Sequence, residues 1–400
     1  MRIDLITPIS SEKFAGVEKY AVNLLRHFAG MKTQHTFRLV NFPESMAASY
    51  QFENRIIAYG SRDVVGHLLS GRAARFAFSS FEYLAVAGLH ASARDLVSGY
   101  LRQLGFSFGI ERLGGSEVIH ALTHFVPRFV KAKYVLATVH DLGPLRMPHL
   151  YPASYVNYMR REFPWQLRQC DRIVVVSPAT LEDVHECYEI PRDRLVLIPQ
   201  GIDDSFRRVD PHAVLQKYGI ETPYLFYPTG TIEPRKNIDA AIKAVGRVRE
   251  KLGTTHMLVI TGRSLARYEA VDRAVEEGRQ MGFAVNLGFV PEQDIPALYS
   301  GADLVVYPSI YEGFGLPILE SMACGTPIAI SRIKAHEFVG GDAAFFLEGT
   351  SSESIADGMT ALLTDIQLRA RLVSAGFKRA AQFRWEQTAR RTLALYDSLS

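Results

Sequence analysis

The chain has 400 residues, of which 48% are hydrophobic and 22% charged, with a formal net charge of +3. This is the composition of a globular protein with a sizeable core: it excludes a disordered or fibrous chain, and the length predicts two domains. Residues 1–200 hold 23 Lys/Arg against 18 Asp/Glu, a bias too weak for a nucleic-acid binder but suited to an anionic partner or a membrane surface.

In chain order, "RIDLITP" reads as a buried strand, and Val17, Tyr20, Ala21, Leu24, Leu25 and Phe28 follow at helical spacing, closed by Gly30. Ala15 and Gly16 lie between the two, where a larger side chain would obstruct a phosphate. No G-x-G-x-x-G occurs there, so no dinucleotide fingerprint is present. "HTFRLVNF" is the next strand. Residues 55–133 carry 10 Lys/Arg against 5 Asp/Glu. Their helix-like pieces, with Arg62, Arg72 and Arg75 among apolar residues, either lie on an anionic bilayer or pack on the first domain's sheet with arginines facing water. The lack of a clean polar face favours packing.

"SEVIHAL", "KYVLATVHD", "DRIVVVSPAT" and "RLVLIPQGID" continue the strands. Near-continuous apolar strands alternating with helices predict a parallel sheet covered on both faces. His140 and Asp141 fall at the carboxyl end of one strand, where ligand-facing residues collect; His140 either donates to a sugar hydroxyl or carbonyl or serves as a structural histidine. His120 and His124 have the spacing of a metal pair but no third ligand, so no metal is expected. Cys170, Cys187 and Cys324 show no C-x-x-C spacing, which argues against a disulfide framework and for a reducing compartment. The start, "MRIDLITPIS", has no signal-peptide core, and no run of 18 apolar residues occurs. A cytoplasmic protein is expected, with any contact to the inner membrane peripheral.

The periodicity breaks at residues 203–222 and a second series begins: "PYLFYPTG", a helix over Asp239 to Leu252, "HMLVITG", a helix through Tyr268 to Met281, "AVNLGFV", a short helix from about Glu292 to Ser300, "ADLVVYPS", "PIAIS", "AAFFLE" and a helix from Ser352 to Leu363. The expected organisation is therefore α/β. Two facing doubly wound domains, residues 1–205 and 206–382, would hold a cleft between them, since open sheets bind ligands beyond the carboxyl ends of their strands.

Two stretches of the second domain carry candidate chemistry. In "YEGFGLPILES", Glu312 lies in a loop and Glu320 on the following helix, with Pro317 suited to its first turn. The free N–H groups of that helix and of Gly313 and Gly315 form a site for an anion. Each carboxylate can accept from sugar or ribose hydroxyls, so the pair could grip both ends of a nucleotide sugar; the alternative is a strand-to-helix turn with two solvated glutamates. In "PTGTIEPRKN", Arg235 and Lys236 arrive together just before a helix N-terminus, an arrangement that makes sense if an anion sits beside them. Arg235 can instead bridge to Glu233 at the surface.

"YEGFGLPILESMACGTPIAIS" resembles the E-x7-E signature of retaining glycosyltransferase family 4, whose members have the GT-B fold, and "GTIEPRKN", "VVVSPAT", "LIPQGID" and "FRWEQTARRTLALY" resemble its other landmarks. Coverage is nearly the whole chain, poorest over residues 40–115. The forms are most similar to bacterial alpha-mannosyltransferases that use GDP-mannose in polysaccharide assembly, often on polyprenyl diphosphate carriers. The resemblance implies two Rossmann-like domains with an interdomain cleft and a crossover helix at 383–400 that completes the first. It implies transfer of a hexose, in the first instance mannose, to a saccharide acceptor such as a lipid-linked intermediate of exopolysaccharide or O-antigen synthesis. The alternatives are another donor, UDP-glucose or UDP-N-acetylglucosamine, or a nucleotide-sugar epimerase. No cofactor or metal and no nucleic-acid partner is implied. Residue by residue, Glu312 would meet the transferred sugar, Glu320 the ribose, Lys236 and Arg235 the diphosphate, and His140 the donor sugar near the reacting centre. Gly16 and the main chain of Gly313, Phe314, Gly315 and Leu316 would complete the donor cradle. One departure stands out: many relatives carry arginine where this chain has Thr231, and Arg235 or Arg263 is the candidate replacement.

Overall fold

The computed structural model describes residues 1–6, 16–40, 53–55, 115–124, 126, 132–221, 223–264 and 268–399. The loop before Gly16 and residues 56–114, on which the membrane-or-packing reading falls, lie outside the described residues. The chain divides into two compact units, Met1–Val175 with Leu181–Leu197 and Arg391–Ser400, and Val176–Thr180 with Ile198–Arg390.

The first unit is built on a parallel sheet of β1 (Arg2–Ile6), β2 (Thr36–Val40), β3 (Glu53–Arg55), β4 (Ser116–Ala121), β5 (Ala132–Val139), β6 (Arg172–Val175) and β7 (Leu195–Leu197), in the order β3-β2-β1-β4-β5-β6-β7. The apolar runs of β1, β2 and β4 are buried after their first residue or two, as strands covered on both faces must be. β3 is short and polar, which is why alternation did not reveal it. The helix Trp385–Asp397 ends in this unit. There Tyr396 packs near Phe28 and Phe37, and its hydroxyl lies 2.7 Å from His120 Nδ1.

The second unit repeats the winding. β8 (Tyr224–Tyr227), β10 (Met257–Ile260), β12 (Ala284–Asn286), β13 (Leu304–Tyr307), β14 (Ile328–Ser331) and β15 (Phe345–Leu347) form a parallel sheet in the order β12-β10-β8-β13-β14-β15, and β9 (Thr231–Ile232) pairs with β11 (Arg263–Ser264) beside it. Side chains alternate between two cores. Tyr224, Phe226, Val305 and Tyr307 join one with Ile318, Leu319 and Met322, while Leu225, Tyr227, Leu304 and Val306 join the other with Ile238, Ala241, Val245 and Met359. The helix Ile366–Ala380 was not expected from the pattern. Asp365 caps it by accepting from Leu368 N at 2.8 Å, and only Leu372, Gly376 and Ala380 of its side are buried.

Both sheets have the strand order of a doubly wound nucleotide-binding fold, counted 3-2-1-4-5-6 from the first strand of each unit. The α/β expectation of two Rossmann-like domains with a returning C-terminal helix is what the structure shows: this is a GT-B chain.

One polar feature interrupts the first core. Asp4 on β1 receives Arg38 from β2 through two 2.7 Å bonds, and Arg38 also donates to Ser116 of β4 at 2.9 Å. Asp4 is fully buried and Arg38 nearly so. Removing one partner strands the other charge in the core, so Asp4→Ala is expected to cost about 3–5 kcal/mol. Urea unfolding measures this, and an unchanged midpoint would show that the triad contributes nothing.

Candidate active site

The second sheet reverses its winding between β8 and β13, and in open sheets ligands sit beyond the carboxyl ends of the strands at such a point. Two loops leave from there: residues 228–237 after Tyr227, and residues 308–315 after Tyr307.

Glu312 and Lys236 meet across these loops. Lys236 Nζ donates to Glu312 Oε1 at 2.5 Å and to the Tyr307 hydroxyl at 3.1 Å, and Tyr307 donates to the same Oε1 at 2.6 Å. Arg235 donates to Glu312 Oε2 at 2.8 Å and to Tyr311 O at 3.0 Å, and also pairs with Glu233 at 2.8 Å. Thr231 Oγ1 supports Glu233 at 2.9 Å. Glu312 is 9% exposed and Lys236 7%. Two cations and two carboxylates therefore share one enclosed network with no net formal charge.

The electrostatics follow from the burial. Desolvation alone would raise the Glu312 carboxyl, but the Arg235 guanidinium, the Lys236 ammonium and the bonds from Lys236 and Tyr307 outweigh it and hold the group well below the usual carboxylate range. Desolvation, reinforced by Arg235, pulls the Lys236 ammonium down against the opposing pull of Glu312. The hydroxyl of Tyr227 donates to the Lys236 carbonyl, anchoring the lysine from behind. Asn237, at φ 59°, then turns the chain into the helix Ile238–Leu252 and bonds Thr350 O at 2.8 Å.

The glycine turn is held from several sides. Gly315 sits at φ +104°, and a Cβ there would meet Ile318 Cδ1 at 3.1 Å and His336 Cδ2 at 3.3 Å. The Gly313 carbonyl accepts from Ser177 Oγ at 2.6 Å and Thr180 Oγ1 at 3.2 Å. The helix Leu316–Ala323 begins there with Pro317 in its first turn and no side-chain cap. The Phe314 ring is buried against Phe383 and Phe338. Leu316 is half-buried. Glu320, also half-buried, accepts from the buried Tyr299 hydroxyl at 2.6 Å.

Beneath the turn lies His336, fully buried. Its Nδ1 is 3.1 Å from both Ser331 O and Ser331 Oγ, and that serine hydroxyl donates to Ser309 O. Both neighbours can therefore only accept, so Nδ1 carries the proton and Nε2, with no protein partner, is an acceptor. Burial lowers its pKa to about 4, against a smaller opposing effect of Glu312.

In the first unit, His140 Nε2 donates to Leu122 O at 2.9 Å and its ring meets Tyr20 edge-on at 4.9 Å. Burial, then His124, lowers its pKa to about 4. Nε2 is thus committed to a main-chain carbonyl, as in the structural alternative read from the sequence. His124 and His120 bond separately, to Tyr155 and to Thr138 with Tyr396. Among the described residues no three His, Cys, Asp or Glu side chains converge as a metal set, and no helix is long and apolar enough to cross a membrane. Gly16 opens the helix Gly16–Ala29.

The structure thus joins Lys236, Arg235 and Glu312 directly, with the glycine turn and Glu320 continuing from them. Of the two arginines offered for the place of Thr231, Arg235 is in the network, while Arg263 is exposed over the Phe289 ring. Sequence reasoning missed Tyr307, Tyr299, Ser177 and Thr180 as supports. Tyr307 was read only as an apolar strand residue; its place as the last residue of a central strand was the available signal.

Comparisons with known proteins bear on the family and the fold. Residues 14–206 match the model described as Glycosyltransferase Family 4, and residues 213–379 that of Glycosyl transferases group 1. O-antigen chain mannosyltransferase B of Escherichia coli is 30% identical over 285 residues, 70% of this chain and 74% of that protein. Serotype-specific mannosyltransferase WbdA of Escherichia coli is 29% identical over 263 residues, 62% of this chain but 32% of that protein. Among solved structures, Anabaena HepE in complex with UDP and glucose superposes with a TM-score of 0.67 at 17% identity, covering 100% of each chain. Sucrose-phosphate synthase from Thermosynechococcus elongatus gives 0.72 at 19%, covering 100% of this chain and 98% of that one.

Fold and matches together define a glycosyltransferase of the GT-B class. The chain belongs to glycosyltransferase family 4, and its sequence is similar to bacterial mannosyltransferases.

The buried histidines make stability pH-dependent. His336 has a folded pKa near 4, below the unfolded value of 6.5, so between these values the unfolded chain binds the extra proton and stability falls as pH drops. From pH 7 to pH 5 that one group accounts for about 2 kcal/mol. His336→Asn is expected to lose correspondingly less over this interval in urea titrations. An identical pH slope in the variant would show that His336 titrates normally in the native state.

Proposed function

We propose that this enzyme moves a hexose from a nucleotide sugar to a saccharide acceptor with retention of anomeric configuration. The observation that carries this reading is the network of Lys236, Arg235 and Glu312, set at the winding reversal of a nucleotide-binding sheet and beside an uncapped helix N-terminus. The diphosphate of the donor fits the two cations and the main-chain N–H groups of the glycine turn, while Glu312 and Glu320 accept from hydroxyls of the hexose and the ribose.

In the transfer, the bond from the anomeric carbon to the diphosphate oxygen breaks, and the acceptor oxygen bonds to that carbon on the face just vacated. The acceptor's proton passes to the departing phosphate. Lys236, Arg235 and the helix N-terminus stabilise the charge that builds on the leaving group. The roles that the family resemblance implies for His140 toward the donor sugar and for Gly16 toward the diphosphate belong to the same proposal.

The broad reading, any nucleoside diphosphate hexose, has the wider support. UDP-glucose stands within it because a solved chain of the same fold was obtained with UDP-glucose, and UDP-N-acetylglucosamine stands within it as another nucleoside diphosphate hexose. GDP-mannose is the narrower choice, supported by the mannosyltransferase names of the sequence relatives. The first of those names also supports an O-antigen-type acceptor; that it is lipid-linked and met at the cytoplasmic face of the inner membrane is part of the proposal. An epimerase on this fold would convert the donor sugar with no acceptor present, so a donor-only reaction followed by NMR separates it from a transferase.

Melting temperatures with GDP, UDP, ADP and their hexoses test the reading, since the true donor stabilises the native state: at a hundred times its Kd the gain is about 2.7 kcal/mol. A protein unmoved by every nucleotide sugar would refute it. Lys236→Ala is expected to lower turnover by about two orders of magnitude or more and to weaken donor binding. Glu312→Gln, which keeps shape but removes charge, is expected to cut turnover while the fold persists. Wild-type rates in either variant would remove that residue from the reaction.

A further inference from the structure

Tyr307 occupies a position that neither the family signature nor the transferase reading requires. It is the last residue of β13, five residues before Glu312, and 1% exposed. Its ring is flanked by His336 at 5.2 Å and Tyr227 at 6.5 Å, so the phenol is fixed by packing on a central strand.

The hydrogen-bond inventory around Glu312 gives that phenol a specific role. Lys236 has only protons to donate, so the Tyr307 oxygen accepts from Nζ and its own proton goes to Glu312 Oε1. Oε1 also receives Lys236 directly, which fills both of its lone-pair positions, and Oε2 receives Arg235. In this arrangement Glu312 serves as the anion for the two cations and has little capacity left for a sugar. A bound diphosphate is a stronger attraction for Lys236 and Arg235, because it carries more negative charge and more acceptor oxygens. When Lys236 turns to it, one lone-pair position on Oε1 opens. The neutral phenol gains nothing from the phosphate's charge and remains on Oε1.

We propose that Tyr307 is a positioning residue for recognition of the transferred sugar: its hydroxyl keeps the Glu312 carboxylate in place while Lys236 exchanges that carboxylate for the donor's diphosphate, so that the vacated lone pair meets a sugar hydroxyl. The proposal rests on the transferase reading above. It assigns Tyr307 to the sugar and not to the diphosphate, and this divides its consequences.

The test compares full-length wild type and Tyr307→Phe by calorimetric titration with GDP and GDP-mannose and with UDP and UDP-glucose, together with steady-state rates on whichever pair binds. Tyr307→Phe keeps the ring packing. Its affinity for the nucleoside diphosphate is expected to stay within about twofold, while affinity for the nucleotide sugar and kcat each fall roughly tenfold. Adding Tyr307→Phe to Glu312→Gln is expected to cause no further loss of sugar affinity, because the phenol acts through that carboxylate. An unchanged ratio of diphosphate to nucleotide-sugar affinity in Tyr307→Phe would overturn the proposal. Equal loss of both ligands, or additive losses in the double variant, would overturn it too by assigning Tyr307 a general structural role. Wild type whose melting temperature is moved by no nucleotide sugar of the earlier screen would sink the transferase reading itself, an outcome visible without any variant.

Discussion

The ion pair between Lys236 and Glu312 is the constraint on which the second unit's loops depend. Each group is costly to enclose without the other, since a buried charge that loses its partner costs several kcal/mol. Each therefore dictates the path of the other's loop: residues 228–237 must bring an ammonium to the same point to which residues 308–315 bring a carboxylate. Arg235, Tyr307 and Thr231 with Glu233 extend the hydrogen bonding and leave the assembly neutral. Apolar residues of the same volume would stabilise such a place as well or better. Retaining charges there makes sense where an outside anion is to be received.

The sheets explain why the charges can meet. In a parallel doubly wound sheet every strand ends on the same side, and at the winding reversal two neighbouring strands send their loops apart, leaving room between. β8 and β13 are that pair here. Short, fully buried strands on both sides of Tyr227 and Tyr307 give these loops a rigid base, and the tyrosine hydroxyls carry that rigidity onto the lysine backbone and the glutamate. The glycine turn is fixed in the same manner. Two hydroxyls from the Ser177 segment hold the Gly313 carbonyl, and Gly315 adopts a backbone conformation that brings the next helix's N-terminus beside the network.

A neutral network that receives a dianion behaves differently from an open cationic pocket. The cations are already desolvated and oriented, so little reorganisation accompanies ligand entry; what changes is which anion they hold. On the proposed reading, binding of the diphosphate and release of the carboxylate become one event, which ties recognition of the nucleotide part of a donor to recognition of its sugar. An isolated phosphate would displace the carboxylate without supplying a hydroxyl for it.

Much of this was legible in the chain itself. Alternating apolar runs and helical periodicity determined the two doubly wound sheets and most helices, because a strand covered on both faces has no other composition open to it. The pairing of Arg235 with Lys236 before a helix start required an anion, and the spacing of Glu312, the glycines and Glu320 placed carboxylates by an anion-binding turn. What the sequence could not show was that the required anion is Glu312 itself: the two loops are more than seventy positions apart, and only folding decides which charges become neighbours. For the same reason Tyr307 passed for core until the structure showed which partners its hydroxyl meets. Local pattern determines what each segment can become, while the pairing of buried polar atoms depends on distances that arise only when distant segments pack together.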